Sequence, residues 1–236
     1  MNLPLIDPFE QPFEAWQTRS PTAEEILANK SIDPINVELI ATINDPVSAA
    51  RYVANGAPDS GLDNHISNML RASAGLKQWR RAMPSRTPKP LSVFQRKYVE
   101  HDIQAVTKEI QQHGRLLSPG QRLFHGGLWW GDGPTSKPLS TSFSPQVAFK
   151  NAEWKGKAYD AGRIDLMVLK VASPNVKAFA FKHKGTSNGH EKEVLLLPGL
   201  TLTCRSSILV RQDCLATKPG DAGKQVDVYV LEIDMS

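Results

Sequence analysis

The side chains best suited to chemistry are two carboxylates, Glu191 and Glu193, in HEKEVLLLPG. An imidazole, His125, sits in LFHGG, and three hydroxyls, Ser140, Thr141 and Ser142, sit in LSTSFS. In a strand, side chains at i and i+2 share a face, so an extended EKE turns both glutamates to one side and Lys192 to the other. Two carboxylates on one face can divide labour. One steadies a cationic sugar transition state and the other takes the proton of an attacking group. Gly126 and Gly127 follow His125 at a strand end, and their bare backbone can approach a flat ligand closely. The hydroxyls can orient a carboxylate or a ribose. Taken singly, each group also has a bland reading as a solvated strand edge, a turn or a structural histidine.

The elements that position these groups change character along the chain. The first ~20 residues, rich in Pro and polar groups, read as an extended arm. SPTAEEILANKS reads as a short helix with Ser20 as N-cap and Pro21 in the first turn. GLDNHISNMLRASAGLKQWRRAM carries Ile66, Met69 and Leu70 at helical spacing, and SVFQRKYVEHDIQAVTKEIQQHG carries Phe94, Tyr98, Ile103, Val106 and Ile110. The first half is expected to be helical. After Pro119 and Gly120 come seven short apolar or alternating runs bounded by Gly, Pro, Asn or Asp, which read as strands. Helices first and strands later imply an α+β fold, with a two-sheet, mostly antiparallel β core. The expected division is residues 1–88 as arm and helical region and 89–236 as a catalytic domain.

Composition narrows the function. The chain has 236 residues, 40% hydrophobic and 22% charged, enough for a sizeable core. A net charge of +4 suits an anionic partner such as a dinucleotide or an acidic protein face. It falls short of a nucleic-acid binder's footprint. The two cysteines, Cys204 and Cys214, suggest free thiols. With His183 and His190 they fit no zinc spacing, so no metal is expected. The N-terminus lacks the basic and apolar regions of a Sec-type signal, and no apolar run nears the ~18 residues of a membrane span.

HGG at 125–127 and GTSNG at 185–189 together suggest a serine esterase with Ser187 as nucleophile. That fold needs a helix after the serine and a histidine later in the chain. Here a strand-like run follows, and the last histidine, His190, lies only three residues on. The esterase reading fails on both counts.

In order, RLFHGG, LSTS and HEKEV resemble the motifs of the ADP-ribosyltransferase superfamily, in particular bacterial mono-ADP-ribosyltransferase toxins and effectors. The resemblance covers roughly residues 90–236 and departs at His125, where the family's toxin branch has Arg. Arg122 lies on the opposite strand face and is the alternative NAD contact. The resemblance implies NAD as substrate, with His125 contacting it and the Gly126 backbone bonding the nicotinamide amide. Glu193 then bonds the ribose 2′-hydroxyl and stabilises the oxocarbenium-like state, while Glu191 engages the acceptor. Ser140 holds the catalytic carboxylate or the ribose, buttressed by Thr141 and Ser142. KHKGTSNGH, with Gly185 and Gly189, matches the target-recognition loop. FKNAEWKGKAYDAG matches the loop over NAD, with Phe149 and Trp154 as stacking candidates or packing residues.

The implied protein is a secreted monomer delivered into a host or competitor cell. It transfers ADP-ribose to a protein arginine, or to a threonine of host ubiquitin, with no membrane or nucleic-acid partner. The alternative is a non-catalytic binding module of the same fold.

Overall fold

The computed structural model describes residues 2–56, 60–96, 102–181 and 192–236. The first half mixes strands with helices, which departs from the helical expectation. Strand β1 (Phe13–Arg19) pairs antiparallel with β2 (Ile35–Ile43) across helix α1 (Ala23–Asn29). The reason is composition: INVELIATI is rich in β-branched residues, which fit a pleated ribbon better than a helix. Helix α1 is capped by Thr22 rather than Ser20. Its hydroxyl accepts from the Glu25 amide, and the Glu25 carboxylate returns the bond to the Thr22 amide. This ribbon and helix leave Trp16, Leu27, Ile32, Val37, Leu39 and Ile40 exposed.

Helix α2 (Pro46–Ala54) starts on the Asp45 cap with Pro46 at its first position, and buries Ala49, Ala50, Val53 and Ala54. Helix α3 (Ser60–Ala72) buries Leu62, Ile66 and Leu70, four residues apart, along one stripe. Helix α4 (Ala74–Ala82) contributes the fully buried Trp79. The long helical pattern after Pro90 divides: α5 (Lys89–Arg96) lies before residue 97, and Asp102 caps a separate α6 (Ile103–His113) through the Gln104 and Ala105 amides. Phe94, Val106 and Ile110 are buried as the spacing predicts, and Tyr98 lies outside the described residues.

The remaining elements are β3 (Arg115–Leu116), β4 (Arg122–Gly127), β5 (Gly133–Pro134), β6 (Leu139–Ser142), α7 (Pro145–Glu153), α8 (Lys157–Ala161), β7 (Arg163–Val171), β8 (Lys177–Ala180), β9 (Glu193–Leu196), β10 (Thr201–Ala216) and β11 (Lys224–Met235). Each of the seven strand-like runs of the sequence contains one of these strands. They form one hydrogen-bonded sheet in the order β3-β8-β9-β6-β4-β7-β11-β10-β5, antiparallel except for β7 with β11. Between β4 and β6 the pairing shrinks to one position, Phe124 opposite Ser142. The two sheets expected from the sequence are thus two parts of one sheet, four strands on one side of this seam and five on the other.

Helices α2 and α7 pack on β4, β7 and β11, and β7 is buried almost throughout, from Ile164 to Leu169. The N-terminal arm is pinned rather than loose. Leu3, Ile6 and Phe9 join a core that runs on to Met235. Leu3 donates to the Leu116 carbonyl, and the Trp79 indole donates to the Pro4 carbonyl. Gln121, fully buried, accepts from the Ile6 amide at 2.8 Å and donates to the Ile6 carbonyl at 2.9 Å. Gln121→Ala leaves both backbone groups unpaired in a dry site. It is expected to cost about 1–3 kcal/mol in urea unfolding.

Candidate active site

The three motifs lie on adjacent strands: HGG on β4, STS on β6 and Glu193 as the first residue of β9. The register sets Ser142 opposite Glu193 and Thr141 opposite Val194. Ser140 lies diagonally on the face of Ser142, and its hydroxyl donates to Glu193 Oε1 at 2.7 Å. The other carboxylate oxygen, Oε2, accepts from Gln95 Nε2 at 3.0 Å. Glu193 is 7% exposed and Gln95 9%. Thr141 turns the other way and donates to the Val194 carbonyl at 2.6 Å, while Ser142 Oγ accepts from the Ser144 amide at 3.0 Å. Thr141 therefore braces β6 against β9, and Ser142 braces the turn that leads into α7.

His125 Nδ1 lies 2.7 Å from the Ser140 carbonyl. A carbonyl only accepts, so Nδ1 carries the proton and Nε2 is left as the acceptor. Burial, reinforced by the Lys157 charge and opposed by the Ser140 bond, holds His125 below the ordinary imidazole range. It is a neutral group at neutral pH. Gly126 serves packing: a Cβ there would sit 1.8 Å from the Ala148 carbonyl oxygen of α7, so only glycine lets that helix lie against β4.

A cavity of about 680 Å³ opens over these groups, bordered by Phe124–Gly126, Leu139–Ser142, Gln95 and Glu193. Arg96, Lys137 and Lys157 also border it, and Glu193 is the one carboxylate among its described lining residues. Trp130 and Trp154, 50% and 46% exposed, stand at its rim, Trp130 edge-on to His125 at 6.1 Å between centroids. This size and mixture suit a dinucleotide: aromatic faces for rings, cations for phosphates and a single buried carboxylate. Asp165, fully buried on β7, fixes the neighbouring turn by accepting from the Trp129 amide at 2.7 Å and pairing with Arg163.

Arg122 faces elsewhere, into a smaller cavity of about 380 Å³ under the N-terminal arm. Phe149 lies on α7, half-buried against the core, and does not border the larger cavity; Trp154 does. The stretch expected as a loop over NAD is mostly helix, α7 and α8, and Ser144-Pro145 is the N-cap signal in the sequence that announces it. Lys192 has φ 53, a left-handed backbone, so the i, i+2 rule does not extend across it and β9 begins only at Glu193. As expected, Lys192 turns from the cavity, and its ammonium reaches Asp63 on α3 at 2.8 Å, where Ser144 also donates. Burial works to raise the Asp63 carboxyl, but the Lys192 and Ser144 bonds carry it below its ordinary range. Glu191, Ser187, His183, His190, Gly185 and Gly189 lie outside the described residues.

Gln95, Asp63 and Asp165 escape sequence reasoning because nothing local marks them. Each acts on a group far along the chain or across the fold.

No family model and no curated protein matches the chain. Among solved structures it is similar to the Vis toxin, an ADP-ribosyltransferase from Vibrio splendidus, at 12% identity over 78% of this chain and 90% of that one, TM-score 0.37. It is similar to exoenzyme S of Pseudomonas aeruginosa, in complex with human 14-3-3 protein beta and bound to carba-NAD, at 14% identity over 78% and 80%, TM-score 0.30. It is also similar to BECa, an ADP-ribosylating toxin of C. perfringens in a structure with NADH, at 14% identity over 83% and 51%, TM-score 0.35. Likeness at these values does not establish a family, and the functional reading rests on the site.

Two outcomes follow from this geometry. Because His125 is depressed when folded, the unfolded chain binds its proton first as pH falls. The stability due to the neutral imidazole is full above about pH 6.5 and declines below it. Urea midpoints of the wild type should therefore fall more steeply below that pH than those of His125→Asn. Gly126→Ala forces α7 off the sheet and should cost about 1–3 kcal/mol or more in the same measurement.

Proposed function

We propose that the protein is an NAD-dependent mono-ADP-ribosyltransferase of the toxin and effector type, acting on a protein side chain. The observation that carries the reading is Glu193: a buried carboxylate held at both oxygens, the one carboxylate among the described residues of a cavity that Arg96, Lys137 and Lys157 also border. A dinucleotide's pyrophosphate would meet Arg96, Lys137 and Lys157 at the cavity border, and its rings Trp130 and Trp154. The neutral His125 offers Nε2 as acceptor to a ribose hydroxyl.

In the reaction, the bond between ribose C1′ and the nicotinamide nitrogen breaks, and its electron pair leaves with nicotinamide. Positive charge develops on the ribose. Glu193 stabilises it and accepts a hydrogen bond from the 2′-hydroxyl. The acceptor side chain then forms a new bond to C1′ and gives up its proton. By motif spacing that proton falls to Glu191, with arginine the default acceptor. The exposed apolar ribbon of β1, α1 and β2 supports a protein as target, since such surface is the usual mark of a docking face.

The test is nicotinamide release from NAD, with and without lysate proteins, followed by mass spectrometry of the products. The wild type should release nicotinamide, and Glu193→Gln should lower the rate by about 10²–10³-fold with its fold intact. A wild type that neither releases nicotinamide nor labels any protein sinks the reading. Glu193→Gln at wild-type rate removes Glu193 from its role.

A further inference from the structure

We infer that Gln95 is a positioning residue for Glu193, holding the carboxylate in one plane without neutralising it; the inference rests on the transferase reading above. Gln95 sits in the last turn of α5, 98 residues from Glu193 in sequence. The terminal torsion of a glutamate is soft, so a single donor leaves the carboxylate free to swing. Here the donors come from two separate elements. Ser140 on β6 takes Oε1 at 2.7 Å, and Gln95 on α5 takes Oε2 at 3.0 Å. An ionised carboxylate only accepts, so the amide must turn its nitrogen toward it, as it does.

The choice of an amide follows from what surrounds it. A lysine or arginine bonded to Glu193 would spend the negative charge that the forming sugar cation needs. The two cations next in sequence to the pair are bonded elsewhere. Lys192, the adjacent residue, is drawn to Asp63 on α3. Arg96, the adjacent residue on α5, folds back onto the Ser92 carbonyl at 3.2 Å and the Ser92 hydroxyl at 3.1 Å. His125 on β4 is held neutral by burial. A neutral donor in position 95 completes this arrangement.

Two variants of the full chain test it, Gln95→Met and Gln95→Glu, with nicotinamide release from NAD followed across pH and thermal melting recorded for each. Methionine keeps the bulk and removes the donor: kcat should fall about 10–100-fold while KM for NAD stays within about twofold. Glutamate keeps the shape and sets a second carboxyl against Glu193. The acid limb of its kcat profile should move up by about one pH unit or more, because two adjacent carboxylates resist ionising together. His125 is unchanged in all three proteins, so the comparison bears on the pair. Methionine at wild-type kcat, a loss confined to KM, or a glutamate variant with the wild-type pH profile overturns the role. A wild type that releases no nicotinamide overturns the transferase reading and this inference with it. An active wild type beside an unimpaired Gln95→Met overturns this inference alone.

Discussion

One backbone pair, Phe124 opposite Ser142, joins the two parts of the large sheet. A fully paired sheet would seal β4 against β6 and leave no room for a ligand at strand depth. Pairing at one position lets the strands part on either side of it, and the larger cavity lies where they part. The rest of the fold maintains that seam. Helix α7 lies close on β4 through Gly126, Thr141 ties β6 to the backbone of β9, and His125 ties β4 to the Ser140 carbonyl. The chemistry-bearing side chains are therefore braced by the bonds that hold the seam at its width.

Glu193 is the one carboxylate among the described residues that border the larger cavity. The chain is basic overall, and the described cavity border repeats that bias around Glu193. In the proposed reaction, cations attract an anionic dinucleotide, yet a cation bonded to Glu193 would blunt its effect on a developing sugar cation. Asp63 holds Lys192, Ser92 holds Arg96, and the described donors to Glu193 include a hydroxyl and an amide, both neutral. The left-handed backbone at Lys192 is part of this, because it swings the lysine out at the point where β9 begins.

Seven of the nine strands of the large sheet were legible, because Gly, Pro and Asp bound short alternating runs that only a sheet can bury. The helical stripes were legible too, from the spacing of Ile66 with Leu70 and of Phe94, Val106 and Ile110. The ribbon of β1 and β2 was not. Its residues pair with each other across α1 rather than with a core, so its burial pattern lacks the alternation that announces a strand. The arm also misleads: Leu3, Ile6 and Phe9 look like scattered apolar residues until Gln121 binds the Ile6 backbone and Trp79 the Pro4 carbonyl. Helix α7 was missed although Ser144-Pro145 marks its start, because the family resemblance suggested a loop there.

The sequence by itself determined the chemical inventory: which carboxylate, imidazole and hydroxyls exist, in what order, and on which strands. Strand alternation and turn residues are local properties, so they can be read locally. Only the tertiary structure decided which of these groups meet. Ser140 and Glu193 are 53 residues apart and Gln95 and Glu193 are 98 apart, and no local rule links them. It also decided that Arg122 faces a different cavity from His125, and that Phe149 packs against the core while Trp154 stands at the rim. These outcomes depend on register and on helix packing, which are set by the summed burial of the whole core rather than by any one stretch.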